Sequence, residues 1–486
     1  MTAVNRDTCI VGLDLGTTSI KAVAYTPAGE LLASRSAVVK TETGPDGRAV
    51  QNPDDVVELA VAVLDEVAGD IARMGLRIAA LGMSAAMHSL VALTHRGEPL
   101  MPAMTWMDAR PADVAQALWA SEDGPRLYAR TGTPIHAMAP VCKLAWLREQ
   151  MPEVFAKARR FVSLKEYVWH HLFGEWVCDP AMASATGLFD VQRLDWDPDA
   201  LEFAGVRADQ LSRPVPADWS QPLASSSLAS RLPLAEDAQA VVGGSDGVLA
   251  TLAAGAKERE MLVVTIGTSL AVRAASQRPV TNANLRTFCY ALGKGEYVLG
   301  APSNAGGVVI DWLVQTLLGR PGEIEPMLAA AGGVQVDHLL ALPYVAGERA
   351  PLWDEGMSAA WVGLRLHHGP AHMVRAAVEG VLFQTRWLVE EMLDLAEGAR
   401  GVMLAGRLFE QPWIAEAAAA LMPVPVWLQS DADGATYGAA MLAGKRVGVN
   451  LPPLAVTPGP QAQAAARADL EHRYAAWRTL IGKLRG

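Results

Sequence analysis

The sequence predicts an α/β protein built twice over. Strand-like and helix-like segments alternate along the chain, and a glycine-hydroxyl hairpin near the N-terminus recurs past the middle. In addition, 486 residues that are 51% hydrophobic suffice for two large cores. The first hairpin is Leu13-Asp-Leu-Gly-Thr-Thr18, which follows the apolar Thr8-Cys-Ile-Val and returns along Ile20–Tyr25. The second is Val264-Thr-Ile-Gly-Thr-Ser269, returning along Leu270–Ala274. A second repeat supports the first: Leu249–Lys257 and Tyr437–Lys445 both read as small-residue helices halted by glycine. Asp14 and Gly255 are 241 positions apart, Thr265 and Gly444 only 179, so the first half carries roughly 62 extra residues. We place the domains at 1–243 and 244–486 and expect the surplus to build substrate specificity.

The remaining elements follow in order. Asn52 caps a helix that has Pro53 in its first turn and runs to Gly75. Ile78–Met83 is then a buried strand. The stretch Ala204–Ala238, rich in Pro, Ser and Ala, reads as loops and short turns. Leu262–Ile266, Tyr297–Leu299 and Val402–Leu404 read as strands of the second half. Pro370 opens a long helix from Ala371 to Glu397, stopped at Gly398.

Several function classes fall away. A net charge of −11 argues against a nucleic-acid binder. No apolar run reaches the ~20 residues that a membrane helix needs, and the polar Met1–Asp7 makes a poor signal peptide. Cys9, Cys142, Cys178 and Cys289 lie far apart, which favours a reducing cytoplasm over a disulfide framework or a zinc site. Neither a P-loop nor the GxGxxG…VAIK set of protein kinases occurs.

The repeated hairpin has a chemical reading. A tight glycine turn exposes backbone N–H groups, and flanking hydroxyls add donors, so each hairpin is an anion cradle. Asp14 beside the first cradle suits a hydrated divalent cation held against phosphate, and two facing cradles would clasp a polyphosphate. Either turn alone is also compatible with a plain β-turn. Asp246, in Val241-Val-Gly-Gly-Ser-Asp-Gly-Val248, precedes the second hairpin. It can act as a helix cap or accept the proton of an attacking hydroxyl.

With these features in place, the chain resembles the FGGY carbohydrate kinases of the actin/hexokinase/heat-shock-chaperone ATPase superfamily over nearly its whole length. Both family signatures are present: Met138-Ala-Pro-Val-Cys-Lys-Leu-Ala-Trp-Leu-Arg-Glu-Gln150, and the segment Ala359-Ala-Trp-Val-Gly-Leu-Arg through Val378-Glu379. The resemblance implies two duplicated ribonuclease-H-like domains with a cleft between them, and transfer of the γ-phosphoryl of ATP, with Mg2+, to a sugar hydroxyl. It places Asp246 as catalytic base, with Asp14 and Asp246 beside the metal. Gly16, Thr17, Thr18 and Ser19 would meet the phosphates, as would Gly267 and Thr268 from the other domain. Lys21 either reaches phosphate or is a solvated strand lysine. Gly307 and Asp311, together with Ala405, Gly406 and Glu410, match the nucleotide pocket. There the usual Gly-Gly is Ala-Gly, and Glu410 replaces Ser or Asn.

For the acceptor, Met87, His88, Trp106, Asp108 and Arg110 match sugar-contacting positions. Trp106 as core, and Asp108 with Arg110 as a structural ion pair, are the competing readings. Ser84–Leu90, Gly97-x-Pro-Leu100 and Thr105-Trp-x-Asp-x-Arg110 look most like the gluconokinase branch. A xylulokinase or other pentulose or polyol kinase is the alternative, and a non-catalytic ATP-dependent switch a more distant one. An acidic acceptor calls for a cation in its pocket, and Arg110, Lys143, Lys165 and Arg349 are the candidates. A small sugar or sugar acid is the expected partner, with no nucleic acid or membrane; a homodimer is compatible with the sequence.

Overall fold

The computed structural model describes residues 7–430 and 433–485. The polar Met1–Arg6 segment therefore lies outside the described residues. The first apolar segment forms β1 (Thr8–Leu15), which turns at Gly16 into the antiparallel β2 (Ser19–Tyr25) and then β3 (Leu31–Val38). Helix α1 (Pro53–Arg73) starts as its capping residues demand, with the Asn52 side chain accepting from Asp54 N. Its apolar stripe of Val56, Ala60, Val63, Leu64, Val67 and Ile71 is buried. The chain then enters β4 (Arg77–Ala85), parallel to β1. The edge strand β5 (Ser220–Pro222) and the long β6 (Leu234–Ser245), parallel to β4, complete a six-stranded sheet in the order β5-β6-β4-β1-β2-β3. β6 begins inside the stretch read as loops, because Leu234 already pairs with Ile78 before the register shifts toward Gln239.

From β6 the chain passes into α2 (Asp246–Ala253) and then into the second domain. There β7 (Met261–Ile266), β8 (Leu270–Ser276), β9 (Phe288–Gly293) and β10 (Glu296–Ser303) pair antiparallel with one another in the order β7-β8-β10-β9. Helix α3 (Pro370–Leu395) follows, then β11 (Gly401–Ala405) and β12 (Val426–Gln429), both in parallel pairings. Helix α4 (Gly434–Arg446) and the edge strand β13 (Val456–Pro458) follow. The seven-stranded order is β9-β10-β8-β7-β11-β12-β13.

Setting β3-β2-β1-β4-β6 beside β10-β8-β7-β11-β12 gives the same strand order and the same sense of pairing, which is the duplication seen in the sequence. The extra residues sit in different connections. The first domain inserts residues 86–233 between β4 and β6, and the second inserts residues 304–400, which include α3, between β10 and β11. The sequence surplus of about 62 is a net over these and the shorter connections.

Each sheet packs on its own apolar core, and a third cluster joins the domains. In it Ile10, Ala80 and Val241 of the first sheet meet Leu249 and Ala253 of α2 and Tyr437, Ala439, Ala440 and Ala443 of α4. Small residues are required here. A Cβ on Gly82 would lie 2.1 Å from the Ala439 carbonyl oxygen, and one on Gly438 would lie 2.1 Å from that of Leu249. The domains also touch beyond this crossing. Tyr128 Oη donates to the Thr287 carbonyl (2.7 Å), Cys289 N to that of Gly132 (2.7 Å), and Ala291 N to Ser184 Oγ (3.1 Å). Among the described residues, no helix is long and apolar enough to cross a membrane.

Candidate active site

At the phosphate end of the first domain, Asp14 is the last residue but one of β1, and the chain turns through Gly16-Thr17-Thr18. Ser84 Oγ donates to Asp14 Oδ1 at 2.6 Å. Desolvation pushes the Asp14 carboxyl up to about 7, with Asp433 and Asp246 adding to the rise. Thr17 is anchored twice: its carbonyl accepts from Gln51 Nε2 (2.7 Å) and its hydroxyl accepts from Trp106 Nε1 (2.9 Å). Lys21, opposite Asp14 in the β1–β2 register, pairs with Asp433 at 2.7 Å. The Lys21 ammonium is therefore held at the head of α4.

The matching turn of the second domain gathers the segments assigned to the nucleotide. Gly307 N donates to the Gly267 carbonyl (2.8 Å) and Val308 N to that of Thr268 (3.1 Å). Ala405 lies opposite Thr265 in the sheet. Gly406 adopts φ 126°, and a Cβ on it would lie 2.2 Å from the Ile266 carbonyl oxygen, so the residue after Ala405 has to be glycine. Asp311 and Glu410 stand exposed at the ends of short helices 307–311 and 407–410.

Asp246 is the first residue of α2, and its Oδ1 accepts from Gly247 N at 2.7 Å. Burial raises its pKa, opposed by the charge of Arg273. The loop carrying it is fixed from below. Lys165 Nζ, fully buried, donates to the Gly244 carbonyl (2.8 Å) and to Asp179 Oδ2 (2.8 Å).

On the acceptor side, His88 adopts φ 68° and is buried. Burial and the charge of Lys143 push its pKa down to about 3, so the ring is neutral. Its Nδ1–H donates to the Ala185 carbonyl (2.7 Å), which leaves Nε2 to accept from Tyr290 Oη of the second domain at 3.3 Å. Lys143 Nζ donates to the carbonyls of His88 and Thr105, each at 2.6 Å, and so ties the His88 loop to the Trp106 loop. A narrow cleft lined by Gly16, Thr17, Gln51, Met87 and Trp106 joins these residues to the phosphate turn. Asp108 and Arg110 pair with each other, Nε–Oδ1 at 2.9 Å and Nη2–Oδ2 at 2.6 Å, and Asp108 is fully buried.

Sequence reading missed Asp433, Tyr290 and Arg273. Asp433 had a signal: an Asp-Gly stands at the head of each of the two repeated helices, though one position out of register between them.

A five-strand α/β core built twice, with a glycine-hydroxyl turn in each copy and a buried carboxylate at the helix between them, defines an actin-like two-domain ATPase fold. Residues 9–253 match the N-terminal domain of the FGGY family of carbohydrate kinases, and residues 262–446 match its C-terminal domain. Among curated relatives, the gluconokinase of Bacillus subtilis (strain 168) is 36% identical over 400 residues, spanning 80% of this chain and 78% of that one. Among solved structures, a ligand-bound xylulose kinase from Lactobacillus acidophilus superposes with a TM-score of 0.90 at 27% identity, over 99% of both chains. A gluconate kinase from the same organism does so with 0.89 at 27%, over 98% of both. The chain belongs to the FGGY family of carbohydrate kinases and is an ATP-dependent carbohydrate kinase.

Proposed function

We propose that this enzyme transfers the γ-phosphoryl group of ATP to D-gluconate, forming 6-phosphogluconate. The observation that carries gluconate is the 36% identity with a relative named gluconokinase, sustained over four-fifths of the chain. In the mechanism, the two glycine-hydroxyl turns bind the triphosphate, Gly16–Ser19 from one domain and Gly267–Thr268 from the other. Gly307, Asp311, Ala405, Gly406 and Glu410 line the nucleotide side. Met87, His88 and Trp106 receive the acceptor. Asp246 accepts the proton of the 6-hydroxyl as that oxygen bonds to phosphorus and the bond to the leaving ADP oxygen breaks in line. A base raised by burial holds that proton more readily. The Asp108–Arg110 pair acts from behind, fixing the Trp106 loop.

Asp14 and Asp246 suit magnesium, which neutralises charge on the transferring phosphates when bound. The residues fit such an ion: Asp14 and Asp246 are hard oxygen donors, and Asp246 lies close enough to add, after desolvation and Asp433, to the rise of the Asp14 pKa. Among the described residues no three metal-binding side chains form a cage, so water and phosphate would supply most of the ligands. Four buried, unpaired cysteines support a reducing, cytoplasmic setting.

The test is ATP consumption with a panel of gluconate, xylulose, ribulose, glycerol and erythritol. Gluconate should give the highest kcat/KM. A pentulose preference would instead establish the xylulose-kinase reading, which the structural likeness to the Lactobacillus acidophilus xylulose kinase supports. Turnover independent of any sugar would point to a switch.

A further inference from the structure

We propose that Arg273 and Arg349, both from the second domain, anchor the carboxylate of the acceptor and set the preference for a sugar acid over the corresponding neutral polyol. The inference rests on the gluconate reading above and identifies the residues that enforce it.

Three of the cations available to an acidic acceptor are already engaged. Arg110 is spent on Asp108, Lys143 on the carbonyls of His88 and Thr105, and Lys165 on Asp179 and Gly244. Arg349 differs. It is only 9% exposed, its Nη2 donates to the Ser303 carbonyl at 2.9 Å, and its Nε is buried with no hydrogen-bond partner. Its guanidinium carbon lies 5.8 Å from the centre of the Trp106 ring, across the cleft in the first domain. The carboxylate of Glu348, next in sequence, is turned to Ser303 Oγ, Asn304 N and Arg349 N.

Arg273 stands on β8 between Val272 and Ala274, which face the second core, so its side chain leaves the opposite face toward the first domain. Its Nη1 donates to Thr265 Oγ1 at 3.2 Å, and its Nε too is buried without a partner. A Cβ on Gly247 would lie 2.9 Å from that Nε, so the guanidinium rests against the peptide beside Asp246. Tyr290, on the neighbouring face of β9, is within electrostatic reach of Arg273, Arg349 and Asp246, and its hydroxyl meets His88. Desolvation depresses both arginines, against Asp246 at Arg273 and Glu348 at Arg349, and Arg273 adds to the depression of Arg349 as a like charge.

A carboxylate suits this arrangement. It accepts from the idle N–H groups and adds a negative charge beside two buried cations whose carboxylates within reach, Asp246 and Glu348, are bonded to neither guanidinium, whereas a hydroxymethyl group in its place does neither. His88 and Trp106 belong to one domain and the arginines to the other. A bound acid therefore spans the cleft and draws the domains together, and a neutral polyol lacks that attachment.

The experiment compares the full-length wild type with Arg273→Gln, Arg349→Gln and Arg349→Lys, all with magnesium and ATP. The acceptors are D-gluconate and D-glucitol, which differ only in carboxylate against hydroxymethyl. The gluconate-to-glucitol ratio of kcat/KM should fall at least ~30-fold in each Gln variant, with an intermediate value for Arg349→Lys, which keeps the charge but not the fork. Should a Gln variant fail to fold, as judged by its melting temperature, the Lys variant at the same position, Arg273→Lys or Arg349→Lys, decides by the same ratio. An unchanged ratio, or equal losses on both acceptors, overturns the proposal while leaving the gluconate reading intact. A wild type that prefers a different sugar acid defeats the gluconate reading alone. A wild type that prefers glucitol or a pentulose defeats both.

Discussion

Lys21 Nζ lies 2.7 Å from Asp433 Oδ2, tying the first phosphate hairpin to the head of a helix that follows the second sheet. The same Asp433 caps α4, its Oδ1 accepting from Ala435 N (3.1 Å) and Thr436 N (3.3 Å). The two roles separate by substitution. Asp433→Ala removes cap and charge and should cost about 1 kcal/mol of stability. Asp433→Asn keeps an acceptor for the cap and should melt within a degree or two of wild type. Both release Lys21 and remove a negative charge beside Asp14, so the KM for MgATP should fall several-fold while the acceptor KM stays put. An unmoved KM for ATP in both variants would mean that the pair serves the fold alone.

Asp246 supports a sharper expectation. Replacing it by Asn keeps the shape and the contact with Gly247 but removes the proton acceptor. We expect kcat to fall by at least ~10² while acceptor binding, measured by calorimetry without ATP, stays within a few-fold. Near-normal turnover would remove Asp246 from the role of base.

How far the sequence carries toward this site depends on whether a residue's role is local. Asn52-Pro53, the Gly-Thr-Thr turn and Pro370 declare their structure through cap and turn chemistry that acts over a few residues, and each element forms where expected. Arg273 and Tyr290 read in sequence as ordinary strand residues. Their importance depends on which face of the second sheet meets the first domain, and only pairing between residues more than a hundred positions apart decides that. The unequal insertions were hidden for a related reason, since landmark spacing reports only their difference. Asp433 was legible in principle, because an Asp-Gly stands at the head of both repeated helices, one position out of register between them.

Lys143 links stability to pH. Burial pulls its pKa from 10.5 down to about 7, with Asp108 resisting. Between those values the unfolded chain binds the proton and the folded one does not, so the contribution of Lys143 is complete above about pH 10.5 and is lost as pH falls through about 7. In Lys143→Met that dependence disappears, and the carbonyls of His88 and Thr105 lose their donor at about 1–3 kcal/mol each. Denaturant unfolding should therefore show the variant less stable, with a gap to wild type that widens from pH 7 to pH 10. The acceptor KM should rise, because the His88 and Trp106 loops lose their shared tie. A gap independent of pH would show that Lys143 keeps its proton in the folded state.

The crossing of α2 and α4 yields a prediction in which one kind of substitution has opposite signs at two places. In Gly438→Ala, the new Cβ would meet the Leu249 carbonyl oxygen at 2.1 Å, and both atoms belong to backbone that has no rotamer to yield. The helices must separate, and overpacking of this kind costs about 1–3 kcal/mol. Gly482, in the C-terminal helix Ala464–Arg485, has nothing within 4 Å of an added Cβ and is exposed. Gly482→Ala should instead stabilise the protein by up to about 1 kcal/mol through helix propensity alone. The crossing also joins the domains, so its distortion should reach catalysis. The Gly438 variant is expected to lose several-fold in kcat at temperatures where it is fully folded, and the Gly482 variant to keep wild-type kcat. Melting curves and initial rates on the two proteins check both halves. A Gly438→Ala enzyme with normal melting and normal kcat would show that the crossing tolerates separation and does not govern closure.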